Sequence, residues 1–126
     1  MVGGILILAS PGQAQTRASE ARSPRHGGEV RVVAGHQVEF QVDSAGTMSV
    51  WLRDAEGNRL PPPEDASITL IEAPGCEHTL PLRVDAASQR LVTQFDPGRY
   101  SAFEALVSLR IAGKWRHVRF RHPSRR

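Results

Sequence analysis

Histidine and sulfur side chains are the residues of this sequence whose types could do chemistry. The chain carries one cysteine, Cys76, and two methionines. Its five histidines are His26, His36, His78, His117 and His122. Imidazole nitrogen and soft sulfur are the donors that copper and zinc prefer in proteins. The composition therefore makes transition-metal coordination the first chemistry to consider.

Four of these residues are the candidate ligands, although their spacing gives little support to a metal site. His26 and His36 flank the first predicted strand, and Cys76 and His78 are separated by one residue where a loop enters a strand. The Cys76–His78 pair is closer than standard zinc-ligand spacing, but it offers two donors at one boundary. An ordinary role as a neutral, hydrogen-bonded side chain is the alternative for each histidine. The expected ion is copper, zinc or cobalt.

Motifs of the common catalytic sites are missing from the sequence. It contains no Gly-x-Ser-x-Gly elbow, no His-Glu-x-x-His, no phosphate-binding glycine loop and no paired-cysteine motif. The glycines sit at turn positions, where conformational freedom explains them. We therefore expect a protein that is not an enzyme.

Residues 28–54 are the segment around which the fold is predicted to form. Three short runs there alternate apolar with polar residues, so each apolar set falls on one face of a strand. The runs are Val30 and Val32; Val38, Phe40 and Val42; and Met48, Val50 and Leu52. Turn signals at residues 34–35 and 44–46 separate them. The pattern predicts an antiparallel meander of three strands with one buried face.

Five further strands are predicted along the chain. They span residues 66–72, 78–84, 90–95, 103–111 and 115–121. Pro81 lies on the opposite phase from its apolar neighbours, which indicates an edge strand or a bulge. Eight short strands with turn signals between them predict an all-β fold, an immunoglobulin-like antiparallel β-sandwich of seven to eight strands. A small β-barrel is the alternative.

The ends of the chain differ in composition from the domain. Residues 1–14 have an apolar core at 5–9 and small residues before Gln15, which is the pattern of a signal peptide, although no basic residue precedes the core. Residues 15–27 are polar and indicate a flexible linker; the β-sandwich domain is then 28–122 and the basic tail 123–126. The apolar stretch is too short for a membrane span. We expect an exported, periplasmic protein with no stable membrane insertion.

Charge is concentrated at the carboxyl end. Residues 114–126 hold six of the sixteen basic residues and no acid, so the rest of the chain, with ten basic and thirteen acidic residues, has a net charge of −3. Arginines on an edge strand prevent edge-to-edge aggregation. Because export separates the protein from nucleic acid, no nucleic acid partner is expected. Cys76 has no intrachain partner, so the protein is a monomer or a Cys76-linked dimer.

The turn and strand pattern resembles a family of small exported proteobacterial domains. The matching segments are His26-Gly27-Gly28, then Gly35-His36-x-Val38-Glu39-Phe40, then Met48-Ser-Val50-Trp-Leu52-x-Asp54-x-x-Gly57, and a Gly113-Lys114 hairpin into Arg119-Phe120. That family is associated with cobalt–zinc–cadmium or copper efflux systems and with the amino-terminal extensions of their periplasmic adaptor subunits. The resemblance implies a periplasmic, non-enzymatic sandwich that binds or transfers a transition-metal ion. The residues in its histidine patterns are His26 and His36.

Two functions follow as hypotheses. In the first, the domain is an accessory protein of heavy-metal handling that binds an ion through His26, His36, Cys76 and His78, with help from Glu29 or Glu39, or docks on an efflux component in the envelope. In the second, it is a structural interaction domain without metal, using an edge strand and Trp51. Trp51 lies on the polar phase of its strand, so it is either an exposed contact or covered by the prolines at 61–63.

Overall fold

The computed structural model describes residues 24–123 as nine β-strands in two antiparallel sheets. The strands are β1 (Glu29–Val33), β2 (His36–Val42), β3 (Thr47–Arg53), β4 (Ala66–Ala73), β5 (Cys76–Pro81), β6 (Arg83–Asp85), β7 (Arg90–Gln94), β8 (Phe103–Ile111) and β9 (Lys114–His122). The five-stranded sheet has the order β1-β2-β3-β7-β6, and the four-stranded sheet has the order β5-β4-β8-β9. Both sheets keep open edges. The predicted all-β sandwich is confirmed, and the barrel alternative is wrong.

One apolar core lies between the two sheets. The alternating runs of β2, β3 and β8 supply it as the sequence predicts, because every second side chain of a strand points to the same face. Its buried members include Val38, Phe40, Met48, Val50, Leu52, Ile68, Leu70, Leu91, Ala105, Val107, Leu109, Val118 and Phe120. The core therefore holds the sheets face to face and fixes which side chains point outward.

The first strand departs from the predicted meander. Val30 is directly opposite Glu39 and Val32 is opposite Gln37, so both valines point to the outer face of the five-stranded sheet. Val32 is 53% exposed. Arg31 occupies the inner phase instead, and its guanidinium lies 5.8 Å from the centre of the Phe120 ring. The expectation that Val30 and Val32 share the buried face is wrong.

The predicted fifth strand is divided between the two sheets. Pro81 ends β5 at an edge of the four-stranded sheet, and β6 begins two residues later at an edge of the other sheet. Between them Leu82 is buried, and its amide donates to the carbonyl of Ala66 at 3.0 Å. Proline has no amide hydrogen to give to a further strand. The predicted edge position of Pro81 is confirmed, and the division raises the strand count to nine.

Parts of both chain ends lie outside the residues that the structure describes. The signal peptide predicted for residues 1–14 lies outside the described residues, as do residues 15–23 of the predicted linker and 124–126 of the tail. Residues 25–28, at the linker boundary, contact the outer face of the five-stranded sheet. Between residues 24 and 123, no helix is long and apolar enough to cross a membrane.

Candidate functional site

The outer face of the five-stranded sheet holds a buried polar cluster. Glu39 is 0% exposed, Gln37 and Ser49 are 2% exposed, Arg53 is 3% exposed and Trp51 is 7% exposed. These residues alternate with core residues along β2 and β3, so they point away from the core. Polar groups on an outer face normally meet water. Residues 25–28, which we call the strap, contact Glu39 and Trp51 of this cluster, whereas Gln37 bonds to Ala55 and Ser49 to Arg90.

Glu39 fastens the strap to the sheet. Its Oε1 accepts a hydrogen bond from the amide of Arg25 at 3.0 Å, and its Oε2 accepts from the amides of His26 at 2.8 Å and Gly28 at 3.1 Å. The Arg53 guanidinium lies 3.8 Å from Oε1. A buried carboxylate is tolerated only when hydrogen bonds and an opposite charge replace its water. The strap supplies the hydrogen bonds, and Arg53 supplies the charge.

The rest of the strap is positioned by an aromatic stack. The His26 ring lies parallel to the Trp51 indole, with centroids 3.9 Å apart and an angle of 8° between the planes. Gln41 Nε2 donates to the His26 carbonyl at 2.7 Å. A Cβ on Gly28 would overlap the Phe40 carbonyl oxygen, so glycine is required for this close approach. Trp51 is therefore buried, and His26 covers its indole face.

The charges of three arginines act on the His26 ring. Burial is the main factor that lowers its pKa below 6.5, and the charges of Arg59, Arg53 and Arg25 lower it further, whereas Glu39 raises it. Burial and the charge of Arg25 also lower the pKa of Arg53, against the attraction of Glu39. The imidazole is therefore neutral at pH 7. A neutral ring beside three guanidinium groups meets an environment that disfavours the approach of a metal cation.

The four predicted metal ligands lie in separate places. His26 is in the strap, and His36 is at the start of β2, where its Nδ1 lies 3.1 Å from the Ala34 carbonyl oxygen. Cys76 and His78 are on β5 of the other sheet. They are exposed and occupy alternate positions, so they share a face. The structure therefore brings together only Cys76 and His78.

The acids considered as additional ligands have other partners. Glu39 accepts the strap amides, and Glu29 pairs with Arg31 at 3.2 Å. In the part of the chain from 24 to 123, no three residues among His, Cys, Asp and Glu are grouped so that they could hold a metal ion. Metal binding by this chain stays a prediction.

A second surface of interest is the outer edge of β9. This strand pairs with β8 on one side, and no other described strand pairs with its opposite side. Arg119 and Arg121 both approach the single carboxylate of Glu104, at 3.3 Å and 4.0 Å. Trp115 is 49% exposed at the start of the strand. The edge therefore carries more positive charge than the Glu104 carboxylate neutralises, and it also carries an exposed aromatic ring.

The buried cluster is the feature that the sequence reasoning missed. Glu39, Arg53 and Gln37 occupy the polar phase of β2 and β3, and such a phase is typical of a face in water. The available signal was Trp51 on that same phase, together with the glycine pair at 27–28 upstream. A large aromatic side chain among polar neighbours indicates that something covers the face.

No protein-family model, curated protein or solved structure matches this chain. What is established is therefore the class of fold, an all-β sandwich of two antiparallel sheets. The resemblance to domains of heavy-metal efflux systems stays an expectation.

Replacing Glu39 by Gln tests whether its carboxylate holds the strap. The amide has nearly the same size, but its NH₂ group faces backbone donors, and the negative charge beside Arg53 is lost. We expect a loss of about 3 kcal/mol in the free energy of unfolding, because removing one charge of a buried, hydrogen-bonded ion pair is strongly destabilising. Urea unfolding of both proteins measures the difference. Glu104→Gln, which removes an exposed pair, should cost less than about 1 kcal/mol. Equal small losses in the two variants would contradict this role of Glu39.

Acid pH should loosen the strap through His26. Because its pKa in the closed strap is lower than 6.5, protonation favours the open strap, and closure weakens as pH falls through 6.5. Hydrogen-exchange protection of the Arg25, His26 and Gly28 amides should therefore decrease between pH 7.5 and 5.5. His26→Phe keeps a ring on Trp51 but cannot be protonated, so this dependence should disappear. Protection that is the same at both pH values in the unaltered protein would show that His26 does not control closure.

Proposed function

We propose that this chain is an exported, non-enzymatic binding module that docks on a partner protein of the cell envelope through the outer edge of β9. The positive charge of that edge supports this function. Its nine residues, Lys114–His122, contain four lysine or arginine residues, two histidines and no acid. The signal-like start of the sequence supports the exported location.

Strand addition is the form of docking that suits this edge. An extended peptide can pair with the free backbone groups of an edge strand, and its side chains then contact those of the strand. A nine-residue strand is about 30 Å long, which is enough for several backbone hydrogen bonds. The excess positive charge favours a partner segment that is extended and acidic, since complementary charge speeds and orients association.

The other edges suit this role less well. β6 has only three residues, and β1 has five. β5 has six residues, but its last residue is Pro81, which cannot donate a backbone hydrogen bond. β9 is therefore the longest edge with an uninterrupted set of backbone donors and acceptors.

A protective role for the same arginines is the competing explanation, because charged edge strands resist aggregation.

An acidic peptide of nine residues, with glutamate alternating with valine, distinguishes the docking role from the protective role. We expect it to bind the chain of residues 15–126 in a titration followed by NMR, with shifts centred on the β9 amides. The double variant Arg116→Glu, Arg119→Glu should weaken binding by about tenfold or more. Arg83→Glu on β6 is the control and should leave binding nearly unchanged.

Backbone pairing is tested by the same peptide methylated on alternate amide nitrogens. Methylation removes the donors that strand addition needs and keeps the charge. We expect the methylated peptide to lose most of the affinity. Equal binding of both peptides would contradict strand addition, and the absence of binding by the unmodified peptide would contradict the docking function of this edge.

Reversible metal binding is a second candidate function, favoured by the shared face of Cys76 and His78 on β5. These residues provide a soft sulfur and an imidazole. They supply two ligands of the four in a closed tetrahedral site, so a partner or a second copy of the chain must supply the others. This arrangement supports transfer of an ion between proteins rather than permanent storage.

Thermal unfolding of reduced protein in the presence of Cu(I), Cu(II), Zn(II) or Co(II) tests this second function. An ion that binds only the folded state stabilises it by about 2.7 kcal/mol at a hundredfold excess over its dissociation constant. We expect the increase in midpoint to disappear in Cys76→Ser and in His78→Ala and to persist in His36→Ala. No increase with any ion, or an increase that survives both β5 substitutions, would exclude this pair as the ligands.

A further inference from the structure

A row of four directly opposed residues crosses the outer face of the four-stranded sheet. Ile71 on β4 is opposite Glu77 on β5 and, on its other side, opposite Glu104 on β8. Glu104 is in turn opposite Arg121 on β9. Residues opposite one another in antiparallel pairs point to the same face of the sheet. The row therefore begins with an acid at one edge of the sheet and ends with a base at the other.

A groove of about 800 Å³ lies over this row and includes all four of its residues in the lining. The other apolar residues of the lining come from the β4–β5 hairpin, from the start of β8 and from the end of the described chain: Ala73, Pro74, Ala102, Phe103 and Pro123. Pockets that bind small molecules in proteins have volumes of about 300–1,000 Å³. The groove is therefore large enough for a small ligand that contacts both ends of the row.

The negative end of the row has no charge partner among the described residues. Glu77 is exposed, and it forms no ion pair with any base between residues 24 and 123. Glu72, which also lines the groove, is paired with Arg99 at 3.2 Å. The carboxylate of Glu77 is therefore the one at this end that is available to a positively charged group of a ligand.

The positive end of the row has more charge than its acid neutralises. Arg119 and Arg121 both line the groove and share the carboxylate of Glu104, at 3.3 Å and 4.0 Å. Within the described part of the chain, neither arginine pairs with a second acid. The 4.0 Å contact of Arg121 is longer than a hydrogen bond, so its guanidinium keeps donors for another carboxylate. The groove is therefore negative at its β5 side and positive at its β9 side.

We propose that this groove is a binding site for a short peptide with a free amino end and a free carboxyl end. The ammonium group of the peptide pairs with Glu77, and its terminal carboxylate pairs with Arg121. Its central residue contacts the apolar side chain of Ile71. The site lies on the face of the sheet and not at its edge, so it does not depend on the docking function proposed above.

The spacing of the two charges sets the length of the peptide. Adjacent strands are about 4.8 Å apart. Because the Arg121 guanidinium approaches the Glu104 carboxylate, its charge lies toward β8. It is therefore two strand spacings, about 10 Å, from the strand of Glu77. An extended tripeptide has nearly this length, at about 3.3 Å per residue, whereas a single amino acid is too short to pair with both residues.

Trialanine and its two capped forms test the proposal on the full chain. NMR titrations at pH 7 measure the dissociation constants of trialanine, N-acetyl-trialanine, trialanine amide and free alanine. We expect each cap to weaken binding by about fivefold or more, because it removes one charge-assisted hydrogen-bonded pair. Free alanine should bind more weakly than trialanine. The shifts should centre on the amides of Ile71, Glu77 and Glu104.

Two variants assign each charged end of the peptide to its partner. Glu77→Gln should bind trialanine and its N-acetyl form equally and still prefer a free carboxylate. Arg121→Gln should bind trialanine and its amide equally and still prefer a free amino end. Glu56→Gln removes an exposed carboxylate from the turn after β3, and this control should keep both preferences. Because Glu77 and Arg121 are exposed, both variants should fold.

Several results would overturn the proposal. Equal binding of trialanine and both capped forms to the unaltered chain would show that the groove does not recognise the charged ends, and the absence of binding would show that it takes no such peptide. A preference for free ends that persists in both Glu77→Gln and Arg121→Gln would place the peptide elsewhere. Shifts that spare the amides of Ile71, Glu77 and Glu104 would do the same.

Discussion

The burial of the Glu39 carboxylate is the constraint on which this structure depends. A carboxylate in the middle of a sheet costs several kcal/mol unless hydrogen bonds and a positive charge compensate for its lost water. Three strap amides and Arg53 provide that compensation. Glu39 thus fixes the polar segment before the first strand, residues 25–28, on the sheet. The stack of His26 on Trp51 and the close approach of Gly28 to Phe40 follow from the path that Glu39 imposes.

The strap covers part of one surface of the molecule, whereas the outer edge of β9 is unpaired among the described strands. The strap covers the outer face of β2 and β3, so Trp51 is not available as the contact surface that the sequence suggested. On the opposite sheet, the outer edge of β9 pairs with no described strand, although β1 packs near it. Arg119 and Arg121 share the Glu104 carboxylate there, and Trp115 is half exposed. The proposed docking function therefore uses an edge strand, as the sequence reasoning allowed, but with a different tryptophan.

The fold was largely predictable because alternation and turn residues act locally. The inward phase of β8, from Phe103 to Leu109, and the pair Val118 and Phe120 on β9 lie in the core as their period of two indicates. The first strand was not predictable in this way, because Val30 and Val32 alternate identically whichever face is buried. Register with β2, which places Val30 opposite Glu39 and Val32 opposite Gln37, decides the face. The division at Leu82 likewise depends on which sheet captures each half of the segment.

The site was less predictable than the fold for a related reason. In sequence, Glu39 and Arg53 have the pattern of a solvated face, and their burial depends on a segment more than ten residues before Glu39. The histidines indicated metal chemistry, but the four candidate ligands lie in the strap, on β2 and on β5 and do not form one site. His26 acts as a ring that covers Trp51. The alternation of apolar and polar residues in a strand does not reveal contacts with a distant segment.

Removal of the strap tests whether the buried Glu39 carboxylate depends on it. A chain that begins at Glu29 keeps the nine described strands and lacks the amides whose hydrogen bonds Glu39 accepts. Its urea unfolding should be compared with that of the chain that begins at residue 15, with Trp115 replaced by Phe in both so that emission reports Trp51. We expect the shorter chain to lose about 3 kcal/mol or more of unfolding free energy and to show a red-shifted emission in the native state. Equal stability and equal emission of the two chains would show that Glu39 does not need the strap.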